Sequence, residues 1–265
     1  MTFRLLRGSV PLLVSIPHMG TEIPEALRGA YVPRALAVED TDWHLDRLYS
    51  FASDLGASVV QPSVSRYVID LNRPPDDQPM YPGASNTELC PTRFFTGDAL
   101  YAQDAALSAE ERTLRRETYW LPYHDALRAE LDRLRNEHGF ALLWDAHSIR
   151  SRIPWLFEGR LPDLNIGTAD GASADAAVAQ AVVQAAARHP RYTHVLNGRF
   201  KGGYITRHYG RPVDNVHAVQ LEMCQCTYMS EEPPYEYDEA LAAQVEPVVR
   251  EMVEAALQAC RKLHG

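Results

Sequence analysis

The tightest constraint on this chain comes from short apolar runs that lack apolar/polar alternation. Residues 10–16 and 141–144 are too short for a helix, and they lack the alternating pattern of a strand wet on one face. Such runs suit strands covered on both sides, as in an α/β sheet. Pro17 ends the first run, because proline has no N–H to continue a ladder. Further strands are expected at 57–61, 67–71, 194–196 and 216–222.

Helical segments alternate with these runs. Leu45, Leu48, Phe51, Ala52 and Leu55 recur at helical spacing, with Thr41 or Asp42 as N-cap and Gly56 as stop. Ser108 and Glu111 form a capping-box pair for a long helix carrying Leu127, Leu131 and Leu134, with a kink expected near Pro122. Later helices are expected near 173–189 and from Asp238 onward. Residues 74–106 show no periodicity, and a connection this long is usually a functional lid or rim. The expectation is one α/β domain over 1–265, with a mixed, largely parallel central sheet flanked by helices. Functional residues of such sheets gather beyond the carboxyl ends of strands.

Composition excludes several classes. The chain is 46% hydrophobic and 23% charged, which suits a soluble folded domain with a substantial core. A net charge of −9 without a basic stripe argues against a nucleic-acid partner, although locally placed Arg or Lys still permits a small anionic substrate. No stretch approaches the roughly 20 apolar residues of a membrane span. The first residues lack a secretory pattern, and the four cysteines lack CxxC spacing, so buried free thiols and a cytoplasmic location are expected. Oligomeric state is left open.

Three expected strands end in residues suited to metal or acid–base chemistry: His18, His147 and Glu222. Either histidine alone reads as an ordinary loop residue; together they suggest zinc, which needs about three N/O ligands and an open position. Asp42 is the candidate third ligand, with Glu22 and His44 as rivals and an N-cap role as the plain alternative. Asp145, two residues before His147, could orient that imidazole. Arg66 and Arg73 bracket an apolar segment, and Lys201, Arg207 and Arg211 cluster around a glycine-containing loop; both sets suit carboxylate binding or plain solvation. Motifs of P-loop enzymes, nucleophile-elbow hydrolases and HExxH proteases are absent.

Several segments in one order, Ser15-Ile16-Pro17-His18, Thr41-Asp42-Trp43-His44, residues 65–75, 145–150 and 197–207, and Val219-Gln220-Leu221-Glu222, resemble the N-formylglutamate amidohydrolases of histidine degradation. More distantly the chain is similar to zinc carboxypeptidases and aspartoacylases, with a phosphorylase/hydrolase-like sheet and a metal at its strand ends. Asp70-Leu71-Asn72-Arg73 resembles their substrate-carboxylate motif, Arg66 falls near their oxyanion-stabilising arginine, and Glu222 is similar to their catalytic glutamate. One departure is Thr21, three residues after His18, where those relatives carry a ligand glutamate. The resemblance implies Zn²⁺ on His18 and His147, with another first-row metal also suited, and catalysis by Glu222 and Arg66; it does not supply the remaining ligand, for which Asp42 is chosen as the nearby carboxylate. It implies a small dicarboxylate substrate held by Asn72 and Arg73 at one end and Lys201 or Arg207 at the other. The alternatives are a zinc hydrolase of another N-acyl amino acid or of a C-terminal peptide bond, and a non-catalytic module that binds an acidic metabolite.

Overall fold

The computed structural model describes residues 2–80, 87–102 and 107–265. Among these, the strands are β1 (Phe3–Leu6), β2 (Leu12–Ser15), β3 (Ser58–Pro62), β4 (Ala141–Ile149), β5 (Leu164–Gly167), β6 (His194–Leu196) and β7 (Val216–Cys224). The α-helices are α1 (Glu25–Arg28), α2 (Leu45–Leu48), α3 (Phe51–Asp54), α4 (Ala109–Arg115), α5 (Leu121–His138), α6 (Ala176–Ala187), α7 (Tyr204–Tyr209) and α8 (Glu239–His264). All seven strands share one sheet in the order β1-β3-β2-β4-β7-β5-β6. The centre, β3-β2-β4-β7, is parallel, whereas β1 and β5 run antiparallel to β3 and β7.

Every residue of β2, β4 and β7 is buried. Successive side chains leave opposite faces of a strand, and here the two faces meet different cores. Leu12, Val14, Leu142, Trp144, Val219 and Leu221 pack with the apolar sides of α6 and α8. Leu13, Ala141, Leu143, Val216 and Ala218 pack with Tyr123, Leu127, Leu131 and Leu134 of α5. On this second face the apolar series stops halfway along: the next side chains of the same parity are Asp145 and His147 on β4, and Gln220 and Glu222 on β7. The carboxyl half of the central sheet therefore carries polar groups where its amino half carries core.

Helix ends follow the expected capping chemistry. The side chains of Ser108, Asp175 and Asp238 accept hydrogen bonds from the first-turn N–H groups of α4, α6 and α8. A π-turn over Arg116–Trp120 joins α4 to α5 and places Pro122 in the first turn of α5.

Three expectations need correction. Neither Thr41 nor Asp42 caps a helix: His44, at φ 61°, precedes α2, and the expected helix is split into the single turns α2 and α3. Residues 67–71 form turns, closed by Val68 N–H to the Ser65 carbonyl and Arg73 N–H to the Asp70 carbonyl, and their apolar side chains join the α5 core from a loop. β4 and β7 also run past their expected ends, so His147 and Glu222 lie within strands. The described part of 74–106 holds no helix or strand, and residues 81–86 and 103–106 of that expected rim lie outside the described residues. No described helix is long and apolar enough to cross a membrane.

Candidate active site

His18 follows β2 by three residues, Asp42 lies in the loop before α2, and His147 stands on β4; all three are buried. His18 Nδ1 and His147 Nδ1 are 3.1 Å apart, and Asp42 Oδ2 lies 3.2 Å from His147 Nδ1 and 3.6 Å from His18 Nδ1. Donors 2.0–2.1 Å from a tetrahedral zinc stand about 3.3 Å from one another. The three donors therefore have the spacing of a metal site, and they form the one such cluster found among the described residues.

Neighbouring groups aim these donors. His18 Nε2 donates to Asp70 Oδ1 at 2.6 Å, which turns the Nδ1 lone pair toward the cluster. Asp70 is held in turn by Asn72 N–H at 2.8 Å and Arg66 Nη2 at 2.9 Å. Asp42 Oδ2 accepts from Ser148 N–H at 3.1 Å, and Arg66 Nη1 lies 3.5 Å from Asp42 Oδ1. His147 Nε2 meets Asn72 Nδ2 at 2.9 Å and lies 3.1 Å from Asp145 Oδ1. Asp145 Oδ2 accepts from Thr206 on α7, while Oδ1 faces His147 Nε2.

The electrostatics agree. Burial alone would raise the Asp42 carboxyl, but His147 and His18 hold it well below the usual range. Asp70 behaves alike under His18, Arg73 and Arg66. Burial pulls the His147 pKa down, but Asp145 and Asp42 push it well above the ordinary value. Glu222 is pushed up to about 8, chiefly by burial, with His147 and Arg66 opposing and Asp42 and Asp145 assisting.

His18, His147 and Glu222 border a cavity whose wall also includes Arg66, Asn72, Arg73, Leu156, Arg199 and Phe200. Glu222 is the sole carboxylate among its described lining residues, against three guanidinium groups. Asn72 Oδ1 accepts from Ile205 N–H at 2.8 Å, and the absence of a side chain at Gly203 makes room for this amide: a Cβ there would stand 2.2 Å from Asn72 Nδ2. Arg73 donates to the carbonyls of Thr87 and Asn72.

The other sequence candidates lie elsewhere. Lys201 pairs with Asp170 at 3.0 Å and Arg207 Nε donates to the Gly202 carbonyl at 2.8 Å; neither lines the cavity. Glu22 is exposed, and His44 Nε2 meets the Tyr235 carbonyl at 2.8 Å. Sequence reasoning missed Asp70 as the partner of His18 and Arg199 as a wall residue, although both lie inside segments whose pattern had stood out.

Residues 10–229 match the family described as N-formylglutamate amidohydrolase. The chain is 53% identical over 251 residues to N-formylglutamate deformylase of Pseudomonas putida, covering 95% of this chain and 94% of that protein. It is 54% identical over 251 residues, with the same coverage, to the deformylase of Pseudomonas aeruginosa. In structure it is similar to N-formylglutamate amidohydrolase from Ralstonia eutropha JMP134, with a TM-score of 0.81 and 24% identity over 98% of this chain and 97% of that one. A gene product of Agrobacterium tumefaciens has a TM-score of 0.74 at 19% identity, covering 97% of this chain and 95% of that one, so these two structures speak to the fold.

Proposed function

Because the chain belongs to the N-formylglutamate amidohydrolase family, we propose that it is a metal-dependent enzyme that hydrolyses N-formyl-L-glutamate to formate and L-glutamate, with residues 1–265 as one catalytic domain. The observation that carries this reading is the three-donor cluster at one end of a cavity whose sole described acid is Glu222. Two imidazoles and a carboxylate suit Zn²⁺, held by His18, Asp42 and His147. When bound, the ion supplies Lewis acidity that polarises the formyl carbonyl and makes water a better nucleophile.

The protein's own groups do the rest. Glu222, buried beside His147 in the cavity wall, takes a proton from the attacking water and delivers it to the departing amine nitrogen. Arg66, fixed by Asp70 and stacked over the Phe95 ring at 4.6 Å, offers N–H groups where negative charge develops on the carbonyl oxygen. Since its partners hold it before substrate arrives, little reorganisation is needed during reaction. Asn72 and Arg73 take one substrate carboxylate, a reading supported by the likeness of Asp70-Leu71-Asn72-Arg73 to the zinc-carboxypeptidase motif.

The test is formate release by the zinc-loaded protein from N-formylglutamate, measured beside cleavage of N-acetylaspartate and short peptides. Formylglutamate should be turned over with the highest kcat/KM. Absence of formate from that substrate would overturn the reading.

A further inference from the structure

We propose that Arg199 binds the side-chain carboxylate of the substrate and thereby sets the preference for a dicarboxylate; the assignment rests on the functional reading above. N-formylglutamate carries two carboxylates and no cation, so two cationic subsites are needed besides the group that meets the formyl oxygen. Three guanidinium groups line the cavity. Arg66 contacts Asp42 and Asp70, one a metal donor and the other the partner of His18, which ties it to the reacting end. Arg73 adjoins Asn72, whose amide touches His147, so its carboxylate subsite also lies close to the scissile bond.

Arg199 remains for the far carboxylate. It stands three residues beyond β6, in the loop leading to Gly203 and α7, rather than in the 66–73 segment. Its Nε and Nη2 donate to the Leu156 carbonyl at 3.3 Å, and its guanidinium lies 5.3 Å from the centre of the Phe200 ring. These contacts, made through the Nε–Nη2 edge, fix the planar guanidinium in the cavity wall, where its charge suits a carboxylate. Leu156, Ile149 and Phe200 add apolar surface to the same cavity, a match for the two methylenes that separate the substrate's charges. Lys201 and Arg207, the nearby alternatives, are engaged away from the lining.

The experiment compares zinc-loaded, full-length wild type and Arg199→Gln on N-formylglutamate and on N-formylglutamine, which differ little in size but differ in side-chain charge. Loss of a charge-assisted contact should lower kcat/KM for N-formylglutamate ~100-fold, mainly through KM. The value for N-formylglutamine should change less than about threefold, because that substrate lacks the contact removed. Arg199→Lys should regain part of the preference, and Arg73→Gln should lower both substrates alike. An equal loss on both substrates in Arg199→Gln would mark a structural role and overturn the assignment. So would an unchanged ratio, or a ratio that collapses in Lys201→Gln or Arg207→Gln instead. If wild type releases formate from N-formylglutamate but the ratio holds in Arg199→Gln, only this assignment fails; if wild type is inert on that substrate, the functional reading fails and takes it along.

Discussion

His147 and Glu222 are register partners in the β4–β7 ladder, so a candidate metal donor and the proposed acid–base group leave the same face of two hydrogen-bonded strands. Glu222 is not among the three converging donors, which separates its loss from loss of the ion. Glu222→Gln should reduce kcat/KM on N-formylglutamate by about 10²–10⁴-fold. Metal content, measured by elemental analysis after dialysis, should match wild type; turnover within a few-fold of wild type would remove Glu222 from the mechanism.

Asp70 holds His18 through the 2.6 Å bond to Nε2. Replacing that acceptor should cost about 10–100-fold in metal affinity, as when the outer partner of a ligating histidine is lost. A competition titration of Asp70→Asn with a coloured chelator would show the shift, and an affinity equal to wild type would contradict the orienting role.

Stripping the protein with a strong chelator should abolish formate release, and adding Zn²⁺ should restore it, since the donor triad has room for a cation between its atoms. Full activity in a preparation shown by elemental analysis to contain no metal would exclude the ion from catalysis.

His124 supplies a pH dependence outside the metal cluster. Burial pulls its pKa down from 6.5 to about 3, with Nε2 donating to the Leu71 carbonyl at 2.9 Å. Because the folded-state value lies below the unfolded one, the unfolded chain binds more protons between these limits. Its stabilising contribution is complete above pH 6.5 and is lost as pH falls toward 3, with a slope of up to about 1.4 kcal/mol per pH unit. Urea unfolding of wild type and His124→Gln at pH 5 and pH 7 should give a smaller pH difference for the variant.

Gly203→Ala drives a methyl group against the Asn72 amide. Forced overpacking of this kind costs about 1–3 kcal/mol, and displacement of Asn72 should also raise KM. Thermal unfolding together with steady-state kinetics checks both effects; a variant indistinguishable from wild type would show that the loop yields without cost.

The central strands, and the grouping of His18, His147 and Glu222 at one end of them, were legible because a short apolar run precedes each histidine and an apolar-rich segment reaches Glu222. The runs did not reveal that β4 and β7 continue through these residues, since a strand whose one face turns from core to site loses its apolar signature while keeping its backbone pattern. The opposite error occurred at 67–71, where a loop buried against α5 carries as many apolar side chains as a strand. β5 is four residues long with Asn165 inside it, too little for a periodic signal. Lys201 stood out over Arg199 by type and neighbourhood alone; only the path of the chain into Gly203 decides which of them meets the cavity.

Where β5 meets β7 it pairs along the last part of that strand alone, from Gln220 to Met223, and in the reverse direction. The platform of His147 and Glu222 and the flank bearing Leu156 and Arg199 consequently hang on different pieces of backbone: two long parallel strands for one, the loops around two short strands for the other. A lineage could rebuild that flank for a new acyl amino acid by insertion or loop exchange and inherit the hydrolytic apparatus intact.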